Sequence, residues 1–177
     1  MIARFLSTLR RTVGSRGAFT VEFGRERARI REIVQSLDSL SLAQPTLIAR
    51  VRGLEDSSRN WSVLMTLEHL RIVHQEMRRV IYDLACGRTP SGTASTAAVK
   101  PASGVSISVL ADYEASCDAL LSAAAAPKNL RTAVRFAHPW FGPMDAHGWY
   151  ALAASHLRIH RVQIERIVAA LNAARDS

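Results

Sequence analysis

The stretch from Ala146 to about Ala174 places apolar side chains at intervals of three and four residues, which is the spacing of one face of an α-helix. At 1.5 Å per residue, this helix would be on the order of 40 Å long. Residues 22–40, 61–86 and 106–126 show the same spacing. Because each apolar stripe must be buried against the others, the pattern predicts an all-α four-helix bundle. The 177 residues suit a single domain spanning the chain.

The segments between these stretches are polar or rich in proline and glycine. Residues 87–104 carry no periodicity and predict a long loop, and residues 127–145 predict an ordered loop with a short extended piece at 132–136. Residues 1–20 are basic and contain no acidic residue, a composition that resembles organellar transit peptides. We interpret this segment instead as a short amphipathic helical extension with one apolar side, formed by Ile2, Phe5, Leu6 and Leu9.

The net charge of +8 raises the question of nucleic-acid binding. The positive residues are almost all arginines, scattered along the chain and often beside acidic residues, so a nucleic-acid partner is not expected. No apolar run approaches the roughly 20 residues of a membrane-spanning helix, and no membrane association is expected. The only two cysteines, Cys86 and Cys117, lack metal-site spacing. Cys117 falls on an apolar stripe and is expected in the core, and the sequence favours a reduced, cytoplasmic protein.

Two histidines interrupt the apolar stripe of the last helix at its middle. His156 and His160 are four residues apart, so both rings can point into the bundle toward one spot. His69 lies on the inward stripe of the second predicted helix and is the natural third member. Buried imidazoles need partners for their ring nitrogens. The three therefore predict either a buried polar network or a divalent transition metal, and three ligands would leave a coordination position open.

The remaining candidates have a weaker connection to this site. His74 lies about 140° around the helix from His69 and should point elsewhere. His138 precedes Pro139 in a loop and is a lid residue, an extra ligand or simply part of the loop structure. His147, in the first turn of the last helix, is expected at the surface. Glu76 is a candidate to support a ligand histidine or to act as a base, or else a solvated residue on the helix face.

Two stretches resemble one known family. The segment "WSVLMTLEHL" resembles the W-S-x-x-x-x-x-x-H-L that opens the second helix of the DinB-like superfamily (DinB/YfiT), and "HPWFGPMDAHGWYALAASHLRIHRVQI" resembles its last helix, with H-x-x-x-H followed by Q-I. The resemblance implies a four-helix bundle, often dimeric, with His69, His156 and His160 as metal ligands. Gln163 matches the glutamine of the Q-I pair and is a candidate to support a ligand. Gly148 departs from the pattern, since many relatives have Glu or Gln there.

The resemblance implies several functions. The superfamily includes metal-dependent transferases that use low-molecular-weight thiols, isomerases that use mycothiol, and members described as metal-dependent hydrolases. We therefore expect an enzyme that acts on a small-molecule substrate, with zinc, nickel, iron or copper activating a thiol or water. The alternative is a non-catalytic bundle with a structural metal or none, acting through a protein partner. A homodimer is also expected.

Overall fold

The computed structural model describes residues 14–176, and four long helices dominate that range. The helices are α1 (Arg16–Gln35), α2 (Ser39–Ala43), α3 (Val63–Ala85), α4 (Val109–Ala125) and α5 (Ala146–Arg175), and α2 is a single short turn. The predicted four-helix bundle is confirmed. The predicted N-terminal amphipathic helix, with its apolar residues Ile2, Phe5, Leu6 and Leu9, lies outside the described residues. Arg16–Thr20, however, belongs to α1 rather than to a separate extension.

Side-chain caps determine where four of the helices begin. Ser15, Asp38, Ser62 and Asp145 each accept a hydrogen bond from a backbone N–H three residues further along the chain. Such a cap satisfies one of the donors left free in the first turn of a helix. Because Ser15 caps α1, this helix starts six residues before the predicted Glu22. It also ends at Gln35 rather than at the predicted residue 40, because Asp38 caps a separate short helix, α2, that starts at Ser39.

The four long helices surround one apolar core. Helix α3 packs against both α4 and α5, and α1 packs against α5. Arg27 and Arg31 of α1 bind Glu114 of α4, and Arg27 also binds Asp118 of α4, which joins the remaining pair of helices. The core includes fully buried residues from every long helix, among them Phe23, Leu67, Leu120, Leu157 and Ile164. Cys117 is fully buried, as its position on the apolar stripe predicts.

A small β-hairpin precedes α5. Strand β1 (Phe136–His138) pairs antiparallel with β2 (Gly142–Met144), and Gly142 has a φ of 71°, which glycine adopts without strain. The predicted extended piece at 132–136 is therefore wrong in position, because the two strands lie at 136–138 and 142–144. Trp149 Nε1 donates a hydrogen bond to the Phe136 carbonyl at 3.2 Å, which ties the hairpin to α5.

The segment from residue 44 to residue 60, here called the strap, connects α2 to α3 and lies against α5. Its two arms are joined by hydrogen bonds from the Ile48 amide to the Arg59 carbonyl and from Arg59 Nε to the Ile48 carbonyl. At Gly53, with a φ of 89°, a Cβ atom would lie 3.1 Å from Ile159 Cδ1. The strap thus approaches α5 closely at this glycine. Among residues 14–176, no helix has the length and apolar character needed to cross a membrane.

Candidate metal centre

Three imidazole rings meet between α3 and α5. His156 Nε2 lies 3.3 Å from His69 Nε2 and 3.1 Å from His160 Nε2, and the ligand atoms of all three lie within 4.8 Å of one another. His69 and His160 are buried, and His156 is partly buried. The helical spacing of His156 and His160 and the inward position of His69 therefore bring together the three predicted residues. Their role as metal ligands remains a prediction.

A loop carbonyl fixes the tautomer of His69. Its Nδ1 lies 2.8 Å from the carbonyl oxygen of Val99, in the long connection between α3 and α4. A carbonyl oxygen only accepts, so Nδ1–H is the donor, and the neutral ring has its lone pair on Nε2. That lone pair faces the other two rings. The ring of Trp61 also packs on His69, with centroids 5.2 Å apart, and forms an apolar wall.

Gln163 fixes the tautomer of His160 in the same sense. The Gln163 amide nitrogen donates to the Ser58 carbonyl of the strap at 2.8 Å, so its oxygen Oε1 faces His160 Nδ1 at 2.7 Å. Because Oε1 only accepts, His160 Nδ1–H is the donor and the lone pair of Nε2 points toward the cluster. Gln163 thus has the supporting position that the resemblance implies. It is completely buried.

The third ring has an unsatisfied nitrogen. His156 Nδ1 is buried and has no hydrogen-bond partner among the described residues. If Nε2 carries the proton, it can donate to His69 or His160 but not to both, so the lone pair of the other ring and that of His156 Nδ1 stay unpaired. If Nδ1 carries the proton, that donor is orphaned and three lone pairs face one another. Either arrangement leaves a buried polar atom unsatisfied, at a cost of about 1–3 kcal/mol.

Burial keeps all three rings neutral. Desolvation lowers the pKa of His69, and it lowers that of His156 well below the ordinary range, with His160 and His69 adding to the effect. The pKa of His160 falls to about 3, again mainly through desolvation and next through His69. Neutral imidazole is the form that binds transition metals. The cluster is therefore in its metal-binding protonation state near neutral pH.

The geometry fits a divalent transition metal. Nitrogens bound tetrahedrally at about 2.0–2.1 Å from zinc lie about 3.3–3.4 Å apart. The two Nε2 separations of 3.1 and 3.3 Å are close to that value. A cation among the three nitrogens would satisfy all three lone pairs at once, with the proton of His156 on Nδ1, which has no acceptor among the described residues. The residues present therefore fit a three-histidine metal site.

Several other candidate residues lie away from this cluster. Glu76 is exposed and pairs with Arg79 at 3.0 Å, which agrees with a solvated residue on the helix face and not with support of a ligand histidine. His74 points elsewhere, as predicted, and its Nδ1 lies 3.1 Å from Ser116 Oγ. His147 is buried rather than at the surface, because its Nε2 bonds the Gly14 carbonyl and its ring packs on Phe19.

His138 lies in the hairpin rather than in an irregular loop. Its ring packs on Trp149 with centroids 5.4 Å apart, and its charge would contribute to the lowered pKa of His156. Its Nδ1 accepts a hydrogen bond from the Trp140 amide at 3.1 Å. This bond gives His138 a clear role in the turn of the hairpin.

Comparisons with known proteins identify a family and a similar fold. The model of the DinB superfamily matches residues 22–164, which is most of the chain. The chain belongs to the DinB superfamily. Its fold is similar to the crystal structure of TT2238, a four-helix bundle protein, with a TM-score of 0.62 and 21% identity, covering 85% of this chain and 98% of that one. At this identity, the likeness shows the fold of this DinB superfamily member and not its activity. No significant match was found among proteins with curated descriptions.

Proposed function

We propose that this DinB superfamily protein is a metal-dependent enzyme in which His69, His156 and His160 hold a divalent transition metal. The observation that supports the proposal is the convergence of three Nε2 atoms, two of them with lone pairs directed inward by fixed tautomers. Pure histidine ligation accepts zinc, nickel, iron or copper, so the ligands alone do not choose the metal. Three protein ligands also leave room for a ligand from solution.

When bound, such a cation would act as a Lewis acid and lower the pKa of a thiol or a water molecule. The chain supports that chemistry by holding the rings in place. Val99 and Gln163 accept from His69 and His160, which raises the electron density of the ligating nitrogens and prevents rotation of the rings. Trp61 provides an apolar wall beside His69 and helps exclude bulk water. The proposed reaction is transfer of a low-molecular-weight thiol to, or hydrolysis of, a small-molecule substrate.

A structural metal is the second candidate. The burial of His69 and His160 supports it, since their exposed fractions are only 8% and 4%. A structural site has no coordination position that responds to added ligands. An enzyme needs one that a thiol can reach.

The first test is elemental analysis of protein purified without a nickel column. We expect about one divalent metal per chain in the native protein and in His74→Gln, because His74 lies outside the cluster. His156→Ala should lose the metal. Circular dichroism of the metal-free native protein and of both variants checks that each remains helical. If folded His156→Ala retains a full equivalent of metal, the proposed set of three metal ligands is wrong.

Cobalt substitution separates the two candidate functions. The d–d absorption of a cobalt-loaded site changes when a ligand from solution enters the coordination sphere. We expect a small thiol to change that spectrum in a saturable way in the native protein. A spectrum that does not change when thiols or other small ligands are added would favour the structural metal.

A further inference from the structure

A groove between the strap and α5 concentrates arginine side chains. Its volume is about 380 Å³, and five arginines line it: Arg50, Arg52, Arg158, Arg161 and Arg166. Every lining residue lies in the described part of the chain, and none of them is acidic. We call this feature the arginine groove. It shares no residue with the histidine cluster, so it is a separate site from the proposed metal centre.

Two of these arginines have their charge balanced by acidic neighbours. Arg50 forms a two-pronged ion pair with Asp56, at 2.9 and 3.0 Å. Arg161 binds Glu26 and Glu165, and Glu26 is nearly completely buried. These pairs hold the guanidinium groups in place at the groove. They leave little of their charge for a ligand.

The other three arginines retain charge that is available to a ligand. Arg52 and Arg166 have no ion pair or hydrogen bond among residues 14–176, and Arg158 reaches Glu22 only at 4.0 Å. Guanidinium groups gathered in one groove repel one another, and an anion removes that repulsion. Guanidinium also presents paired N–H donors that match two oxygens of a phosphate group. The charge balance of the groove therefore favours an anionic ligand with several oxygens.

The walls of the groove are held in position before any ligand arrives. The close approach of Gly53 to Ile159 places the strap against α5, and the Arg50–Asp56 pair joins the two ends of its tip. Ile159 and Val162 add apolar surface between the arginines. A site that is already ordered loses less conformational entropy when it binds. The apolar surface suits a ligand with an organic part.

We propose that the arginine groove binds a small organic phosphate, with Arg52, Arg158 and Arg166 contacting the phosphate oxygens and the organic part lying on Ile159 and Val162. The volume falls within the range of about 300–1,000 Å³ typical of small-molecule sites. A nucleic-acid surface would instead extend along the molecule as a basic stripe with many phosphate contacts. The arginine groove is bounded by the acidic partners Asp56, Glu26 and Glu165.

The test uses pyrophosphate as the probe, with the full-length protein and calorimetric titration at near-physiological salt. The binding variant is Arg52→Gln/Arg166→Gln. The control is Arg88→Gln/Arg135→Gln, which removes the same charge from two exposed arginines outside the groove. We expect saturable binding that the first variant weakens by at least about tenfold and the control by less than about twofold. The methyl NMR signals of Ile159 should shift with pyrophosphate in the control and not in the binding variant.

Three outcomes would overturn the proposal. Equal weakening in both variants would show a general effect of net charge rather than a site. Citrate binding more tightly than pyrophosphate would assign the groove to carboxylates. A single-stranded oligonucleotide that binds at lower concentration than pyrophosphate, and that is lost in the binding variant, would assign the groove to nucleic acid.

Discussion

Replacing Gln163 by leucine tests how the cluster is held together, whether or not a metal is bound. Gln163 is fully buried and makes two short hydrogen bonds, at 2.7 Å to His160 and 2.8 Å to Ser58. Leucine has nearly the same size but leaves a buried N–H and a buried carbonyl unsatisfied, each costing about 1–3 kcal/mol. The apolar side chain offsets about 1–2 kcal/mol of that loss. We therefore expect the free energy of unfolding to fall by about 1–4 kcal/mol.

Urea denaturation in the presence of a chelator measures this change without a contribution from metal. With a denaturant slope of about 2 kcal/mol per molar, the midpoint should fall by about 0.5–2 M. Gln75→Leu is the matched control, because Gln75 is exposed on α3 and its replacement should cost less than about 0.5 kcal/mol. If the two variants have the same midpoint, Gln163 does not hold the cluster as described. Without the chelator, Gln163→Leu should also bind metal about 10–100-fold more weakly.

Burial lowers the pKa of His74 to about 3, so protonation of this ring favours the unfolded chain. The stability that the neutral ring contributes is complete above pH 6.5 and is lost as the pH falls toward 3. Between pH 7 and pH 5, the free energy of unfolding of the native protein should fall by about 2 kcal/mol more than that of His74→Gln, as measured by urea denaturation at both pH values. Equal losses would contradict the buried, neutral state of His74. Gly53→Ala should destabilise the protein by about 1–2 kcal/mol because of its positive φ and the contact with Ile159, whereas Gly24→Ala, on the open face of α1, should stabilise it by about 0.5–1 kcal/mol. Thermal denaturation with the opposite order would contradict this reasoning. We also expect a homodimer, as the superfamily resemblance implies, and light scattering that shows a monomer at micromolar concentration would contradict it.

The sequence was sufficient to predict the long helices, because apolar periodicity is a property of each segment alone. It was less informative about where they end. Helix α1 begins at Arg16, whose guanidinium binds carbonyl oxygens at the end of α4, including those of Ala124 and Pro127. Such a contact depends on tertiary structure and leaves no periodic pattern. The hairpin was missed for a related reason, since strands of three residues are too short to show alternation.

The histidine cluster shows the same division between local pattern and tertiary contact. The spacing of His156 and His160 put both rings on one face, and the inward stripe of α3 supplied His69. His69 donates to the Val99 carbonyl, and His160 donates to Gln163, which in turn donates to the Ser58 carbonyl. Val99 and Ser58 act through backbone carbonyls in segments without periodicity, so their side chains carry no signal of the role. Glu76 was chosen from helical spacing, and its exposure shows that this position lies outside the buried face of α3, which at this level includes Val73 and Met77.

The strap has a consequence for communication within the molecule, because one short segment contacts both sites. Its carbonyl at Ser58 supports His160 through Gln163, and its tip forms one wall of the arginine groove. A ligand that shifts the tip would alter the support of His160, one of the proposed metal ligands. Thermodynamic linkage then requires the reverse effect with equal size: metal at the cluster must change the affinity of the groove by the same factor.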